Sequence, residues 1–149
     1  MFSFLTAAGK RKEQKKALMA FYEEVDRNLE SYYVMFQLNR LRFFSLEQWD
    51  QVRNRPDVDW PPDVGRYAQV LADYNTTLKD FKDYEQWYSA DVENKTRENG
   101  QVLHTKREAA EEKFRQGLED LIKNAKGQVE RQLMDKGIIK HPIKFLRDK

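Results

Sequence analysis

The chain has 149 residues, of which 35% are charged and 40% hydrophobic, with a formal net charge of only +2. It contains no cysteine, which excludes disulfides, thiolate nucleophiles and cysteine-ligated metals. The length suits one domain with its own core, and the 13% aromatic content favours a packed interior over disorder.

The first residues, MFSFLTAA, are followed directly by the basic run GKRKEQKK. A secretory signal has the opposite order, with its positive region first. No apolar run approaches the roughly 20 residues of a membrane-spanning helix. We therefore expect a cytoplasmic protein that forms a single domain over residues 1–149, with less regular tails at 1–9 and 138–149.

Apolar residues spaced by three and four predict a first helix from about Lys10 to Phe44. The row consists of Leu18, Tyr22, Val25, Leu29, Tyr32, Phe36 and Phe43. Asn39 fills one slot, where it either specifies register or lies at the edge of the core. Because Met35 and Leu38 lie off this row, the second half is expected either at the centre of the bundle or against a second copy.

Ser45 and Gln48 have the spacing of a capping box, which predicts a short helix through Trp49 and Val52. Residues 54–63 contain three prolines and break regular structure. Trp60, within that segment, is expected to fold back as a lid over one end of the bundle, with a binding role as the alternative.

The helix around which the chain is organised is predicted to begin at Pro62 or Asp63 and to end near Asn99–Gly100. Its apolar row is Val64, Tyr67, Leu71, Tyr74, Leu78 and Phe81, with Tyr88 and Val92 rejoining it. A last long helix is predicted from about Gln101 to Lys136, closed by Gly137. Within it, Gly117 and Gly127 are expected to permit close approach or a bend.

These elements predict an all-α fold: an elongated antiparallel up–down bundle of three long helices plus one short helix, with coiled-coil-like seams. If the short helix packs along the others, the fold becomes a four-helix bundle. Three alternating helices place the N-terminus and the C-terminus at opposite ends of the bundle.

Charge is concentrated at the two ends of the chain. Residues 1–20 and residues 136–149 each carry five cations and one anion, whereas the chain between them is net acidic. Both ends mix cations with large apolar residues, which is typical of anchors that bind anionic membrane surfaces. The alternative is that they are simply solvated. Nucleic-acid binding is not favoured, because the aromatic rings fall mostly in core rows.

The pattern of acidic residues and histidines does not indicate a metal or cofactor site. A di-iron bundle needs Glu-x-x-His sequences, but Gln101 and Ile138 stand three residues before the two histidines. The acidic cluster of Glu23, Glu24, Asp26 and Glu30 has the pattern of a solvated face. No glycine loop for phosphate is present either, and no small-molecule substrate is inferred.

Arg97 and His104 are separated by six residues. This spacing resembles that of HEPN domains, a family of small helical RNases. The resemblance covers eight residues and implies that His104 would act as acid or base while Arg97 holds the phosphate. Glu98, beside Arg97, would repel that phosphate.

We expect a non-enzymatic protein that acts by association, either with itself as a homo-oligomer or with a partner protein. The residues expected at the interface are Tyr33, Met35, Leu38, Tyr84 and Trp87. Attachment to an anionic membrane surface is the first alternative, and the HEPN-like RNase is the second.

Overall fold

The computed structural model describes residues 7–141 and is all α-helical, with no strand in that range. The all-α class predicted from the sequence is therefore confirmed. The helices are α1 (Ala7–Leu38), α2 (Glu47–Val52), α3 (Pro62–Ala90), α4 (Arg97–Arg115) and α5 (Leu118–Asp135), with a 3₁₀ turn at Val92–Asn94. Most of the two predicted tails lies outside the described residues.

Helix α1 ends at Leu38, six residues before the predicted end at Phe44. Asn39 adopts a left-handed conformation with φ of 50°, which cannot continue a right-handed helix. Asparagine tolerates this conformation better than most residues do. Asn39 is exposed, so it ends the helix and sets no core register.

Residues 40–46, which we call the return segment, run back along α1 without helical structure. Asn28 of α1 donates to the carbonyl of Ser45 (2.8 Å) and accepts from its amide (3.0 Å). Asn75 of α3 donates to the carbonyl of Phe44 and accepts from its amide, both at 2.9 Å. The side-chain amides of Asn28 and Asn75 thus form the hydrogen bonds to the backbone of the return segment that neighbouring strands would form in a sheet.

The N-terminus of α2 is capped by Glu24, which belongs to α1. The Glu24 carboxylate accepts hydrogen bonds from the amides of Gln48 (2.8 Å) and Trp49 (3.0 Å) and from the Ser45 hydroxyl (2.8 Å). These are the amides that a local cap would satisfy. The predicted capping box is therefore wrong: the Ser45 side chain donates to Glu24 instead of accepting from α2.

The predicted solvated acidic face is also wrong for two of its members. Glu24 is only 1% exposed because the return segment and α2 cover it. Asp26 is buried against α5, where it pairs with Lys126 at 3.1 Å. Glu23 and Glu30 are exposed, as expected.

Trp60 folds back onto the bundle, as predicted. Its ring lies 5.2 Å from Phe21 and 5.8 Å from Trp49 between centroids, and its Nε1 donates to the carbonyl of Val52 (3.0 Å). Phe21 and Trp49 are themselves 5.4 Å apart. The three rings cover the core beside the middle of α1, where Phe21 lies.

The apolar row of α3 is buried from Val64 to Phe81, as the periodicity predicts. Tyr88 is half-buried near Gly100 of α4, whereas Val92 lies outside α3 and is exposed. Helix α3 ends at Ala90, earlier than predicted, and α4 begins at Arg97 with the Thr96 hydroxyl capping the amide of Asn99 (3.1 Å). Gly100, predicted to end a helix, instead lies in the first turn of the next one.

The predicted last helix is divided in two. Gly117 has φ of +75°, which breaks the helix between α4 and α5 and confirms the predicted bend at this glycine. Gly127, by contrast, lies inside α5 with open space around it. Gly137 follows α5 with φ of +69°, and the amide of Ile138 bonds the carbonyl of Leu133, so the predicted closure is confirmed.

Cross-helix contacts give the direction of each element. Asn28 contacts Tyr67 and Met35 contacts Tyr74, so α1 and α3 run in the same direction. Helix α5 runs opposite to α1, since their contacts are Tyr33–Glu119, Tyr22–Glu130 and Arg11–Lys136. The predicted up–down–up order of three helices is therefore replaced by four legs: α1, the return segment with α2, α3, and α4 with α5. The short helix packs along α1 as part of the second leg.

This order places the start of α1 beside the end of α5. The Arg11 guanidinium donates to the carbonyl of Lys136 at 3.2 Å. The expectation that the two ends of the chain lie at opposite ends of the bundle is wrong, because the return segment adds a fourth leg.

Beyond Leu78, α3 packs against α4 alone. Met35, near the end of α1, is level with Tyr74, so α3 extends past α1 by about 20 Å at 1.5 Å per residue. We call residues 78–110, with the two helices and their turn, the arm. The rest of the described chain is the body. Among residues 7–141, no helix combines the length and hydropathy needed to cross a membrane.

Candidate functional site

Seven large hydrophobic residues are exposed in the described chain, and they fall in three places. Phe36, Leu38 and Phe43 lie at the turn between α1 and the return segment; we call these three the corner. Trp87, Val92 and Val102 lie on the arm, and Met134 lies near the end of α5. The corner and the arm are therefore the two candidate surfaces for association.

The corner is formed because the chain reverses at Asn39. Phe36 is 70% exposed, Leu38 65% and Phe43 48%. Phe36 and Phe43 belong to the predicted core row, which assumed an unbroken helix to Phe44. The reversal puts Phe44 into the core instead, with its ring 5.1 Å from Tyr74, and leaves the two other phenylalanines outside.

The corner is also basic. Arg40 and Arg42 lie between its apolar residues, and both are exposed. Neither arginine forms an ion pair with any residue that the structure describes, and no carboxylate occurs between Phe36 and Phe44. A surface that complements the corner would combine apolar groups with carboxylates.

Met35, predicted at the interface, is instead part of the core. It is 1% exposed, and its sulfur accepts from the Arg42 amide (3.0 Å) and the Tyr74 hydroxyl (3.5 Å). The return segment covers this side of α1, which explains why the helix is apolar on more than one face. The buried setting raises the pKa of Tyr74 to about 12.

Tyr33, the second predicted interface residue on α1, lies on the seam between α1 and α5. Its hydroxyl donates to Glu119 at 2.6 Å, and burial raises the pKa of its phenol. The hydrogen bond from Tyr33, together with Lys123, holds the pKa of the Glu119 carboxyl below its usual value. The polar end of Tyr33 is thus used within the chain, whereas Leu38 is free to contact another surface.

Tyr84 and Trp87, the remaining predicted interface residues, lie together on the arm. Their rings are 5.2 Å apart, and the Tyr84 hydroxyl contacts Asn99 of α4 at 3.3 Å. Lys106 lies 5.5 Å from the centre of the Tyr84 ring. Since Asn99, Val102 and Lys106 share one face of α4, the exposed Val102 adjoins the two rings.

Arg97 and His104 are both exposed on α4. They are seven residues apart and therefore lie on the same face, two turns from each other. His104 pairs with Glu108 at 3.0 Å between Nε2 and Oε1, and its side chain is 73% exposed. Both side chains therefore lie in open solvent, and this face offers no exclusion of water.

No group of three histidines or carboxylates among residues 7–141 could hold a metal ion. A groove of about 260 Å³ lies beside the break between α4 and α5. Its polar lining, Arg66, Asp73, Lys113 and Gln116, mixes both signs of charge. This groove shows no convergence of groups toward one reacting atom.

Sequence reasoning missed the buried polar residues that hold the return segment. Glu24, Asn28 and Asn75 belong to this set, which we call the clasp; their contacts are given above. Asn28 also donates to the Tyr67 hydroxyl at 2.7 Å, and burial raises the pKa of that phenol. A signal existed in the sequence, since Asn28 and Asn75 each stand beside an apolar row.

The chain matches no known family model, no curated protein and no solved structure.

Proposed function

We propose that this chain is a non-enzymatic helical protein that acts by association, with itself or with a partner protein, through the corner. The supporting observation is that two phenylalanines and a leucine are clustered in one exposed turn, whereas most of the other aromatic rings between residues 7 and 141 are packed. Exposed apolar clusters of this kind usually mark an interface.

The energetics favour this role over a purely structural one. Covering a phenylalanine or leucine side chain gains about 1.5–3 kcal/mol. The corner residues obtain only part of that gain within the chain, because 48% to 70% of each residue is exposed to water. A partner surface would recover it, and carboxylates on that surface would pair with Arg40 and Arg42.

The arm supports the same function as a second surface. Tyr84, Trp87 and Val102 form a smaller apolar strip that crosses both helices of the arm. Catalysis by α4 is less well supported than association, since Arg97 and His104 of this helix lie in open solvent.

The direct test is site-specific photo-crosslinking in cells, with a photoreactive residue at position 36, 38 or 43. The control carries it at Gln69, an exposed polar position on α3. We expect protein adducts from the corner positions and none from position 69. Absence of adducts from all three corner positions would exclude association through the corner.

The double variant Phe36→Ser/Phe43→Ser separates an interface from a structural role. We expect it to lose the adducts formed from position 38 while its free energy of unfolding changes by less than about 1 kcal/mol. The matched control is Gln69→Ser/Asn124→Ser, which changes two exposed polar residues. A large loss of stability in the first variant, with adducts retained, would show that the rings serve the fold.

Light scattering on the purified chain decides between the two kinds of partner. Self-association gives a mass above 17.9 kDa that returns to this value in the double serine variant. A strict monomer at high concentration removes self-association and leaves a different protein as the partner.

A further inference from the structure

The two cationic ends of the chain meet at one end of the molecule. Arg11, in the second turn of α1, bonds the carbonyl of Lys136 just after α5. Lys136 in turn donates to the carbonyl of Asp57 at 2.8 Å, which adds the loop before α3 to the same end. Arg11 and Lys136 therefore lie at one surface.

Two carboxylates at this end, those of Glu13 and Asp57, are paired within the chain, whereas Asp59 is exposed and forms no ion pair with the described residues. Arg55 pairs with Asp57 at 2.8 Å and with Glu13 at 3.6 Å. The Arg55 guanidinium holds the pKa of the Asp57 carboxyl below its usual value. Asp135 and Glu23 remain exposed nearby.

The lysines of α1 have no such partners. Lys10, Lys12, Lys15 and Lys16 are exposed, and none forms an ion pair with the residues that the structure describes. Lys12, Lys15 and Lys16 are joined by Met19 at helical spacing, so they share one side of α1. We call these three lysines the basic face. Lys12, Lys15 and Lys16 lie beyond the first turn of α1, where the helix dipole has little effect, and no ion pair among the described residues accounts for them.

We propose that this end of the molecule binds the surface of an anionic lipid bilayer through the basic face. Clustered lysines beside apolar residues fit anionic headgroups, because the charges neutralise lipid phosphates while apolar groups enter the interface. Met134 supplies an exposed apolar side chain at the end of α5.

The chain beyond the described residues has the same composition. Phe2, Phe4 and Leu5 precede α1, and Ile143, Phe145 and Leu146 follow His141, interspersed with Lys144 and Arg147. A nucleic-acid surface fits less well, since residues 7–20 of α1 contain no aromatic ring on which a base could stack.

The test is co-sedimentation of the full chain with vesicles of phosphatidylcholine and phosphatidylserine, compared with phosphatidylcholine alone. We expect binding only to the anionic vesicles, reversed by high salt. The variant Lys12→Gln/Lys15→Gln/Lys16→Gln should bind about 100-fold more weakly, because each lysine near such a surface contributes about fivefold.

The matched control is Lys79→Gln/Lys95→Gln/Lys123→Gln, which removes the same charge from exposed positions elsewhere. Equal loss in the two triple variants would overturn the proposal, because net charge alone would then explain binding. Failure of the unmodified chain to bind anionic vesicles would also overturn it. A third result would overturn it: the unmodified chain binds single-stranded RNA tightly in a gel shift but does not bind vesicles, and only Lys12→Gln/Lys15→Gln/Lys16→Gln loses the RNA binding.

This inference is independent of the corner. The corner lies at the opposite end of α1, about 40 Å away at 1.5 Å per residue. The variant Phe36→Ser/Phe43→Ser should therefore bind vesicles as the unmodified chain does, and a loss would overturn the assignment to the basic face.

Discussion

The body and the arm share one helix, α3, but they are stabilised in different ways. In the body, α3 is enclosed by α1, the return segment and α5, and the clasp ties α3 to α1 and to the return segment. In the arm, α3 has only α4 beside it, and just three of the 23 buried hydrophobic residues lie there: Leu78, Phe81 and Ala110. The same amphipathic helix is thus part of a core at one end and part of a two-helix hairpin at the other.

The body and the arm therefore differ in how strongly a single side chain affects the free energy of unfolding. The body satisfies buried polar groups with specific partners, so single side chains carry large effects there. The arm depends on surface pairs such as Lys106–Asp80 (2.6 Å) and on Arg107 lying 5.7 Å from the Phe81 ring centre. Exposed pairs of that kind contribute little.

The largest effect is expected at the clasp, from Glu24→Ala. Three donors lose the carboxylate that accepts from them, and α2 loses its cap. We expect the free energy of unfolding to fall by about 3 kcal/mol, measured by urea unfolding followed by circular dichroism. Glu23→Ala, at the exposed neighbour, is the control and should change it by less than about 0.5 kcal/mol. Equal effects at the two positions would contradict the capping role.

A smaller loss is expected from Asn75→Ala in the body portion of α3. The amide and carbonyl of Phe44 lose their partner, which should cost about 2 kcal/mol in the free energy of unfolding. Asn124→Ala, at an exposed position on α5, is the matched control. If Asn75→Ala and Asn124→Ala changed the free energy of unfolding equally, the hydrogen bonds from Asn75 would not stabilise the return segment.

Hydrogen exchange compares the two regions within one helix. Amides of α3 at 82–90 should exchange about tenfold faster than those at 67–78, which corresponds to about 1.4 kcal/mol of local stability. The reason is that the arm opens without disturbing the body. Exchange measured by mass spectrometry on peptides from each half checks this, and uniform protection along α3 would remove the distinction.

The smallest effects are expected at two glycines, with opposite signs. Gly100→Ala should stabilise the arm by about 0.5 kcal/mol, because the added methyl meets only the Tyr88 hydroxyl at 3.4 Å. Gly117→Ala should destabilise the chain by about 1 kcal/mol, because φ of +75° is unfavourable for alanine. Thermal unfolding of both variants measures the two changes in stability. If Gly117→Ala stabilised the chain, the break between α4 and α5 would not be required.

Local periodicity was enough to predict the buried row of α3, since Val64 to Phe81 keep one face toward the core in any packing. It failed at Asn39, because the choice between continuing α1 and reversing depends on the distant amides of Asn28 and Asn75. That one position moved Phe36 and Phe43 from the predicted core to the surface. Glu24 was misplaced for a similar reason: its spacing is that of a solvated residue, and only α2 gives it a partner.

Of the five predicted interface residues, Leu38, Tyr84 and Trp87 remain at or near the surface, whereas Tyr33 is engaged in a seam and Met35 is buried. The sequence could not separate these cases. Residues off the main apolar row of a helix look alike whether a partner molecule or another segment of the same chain covers them.

The way in which the return segment is held also bears on the order of folding. Its hydrogen bonds join residues that are 17 to 31 positions apart, whereas the contacts of the arm begin at 15 positions for Tyr84–Asn99 and reach 26 for Lys106–Asp80. Contacts of low sequence separation form first, because closing a short loop costs less entropy. We therefore expect the α3–α4 hairpin to begin pairing beside its turn, with the stretch between Asn39 and α2 the last to be locked in place.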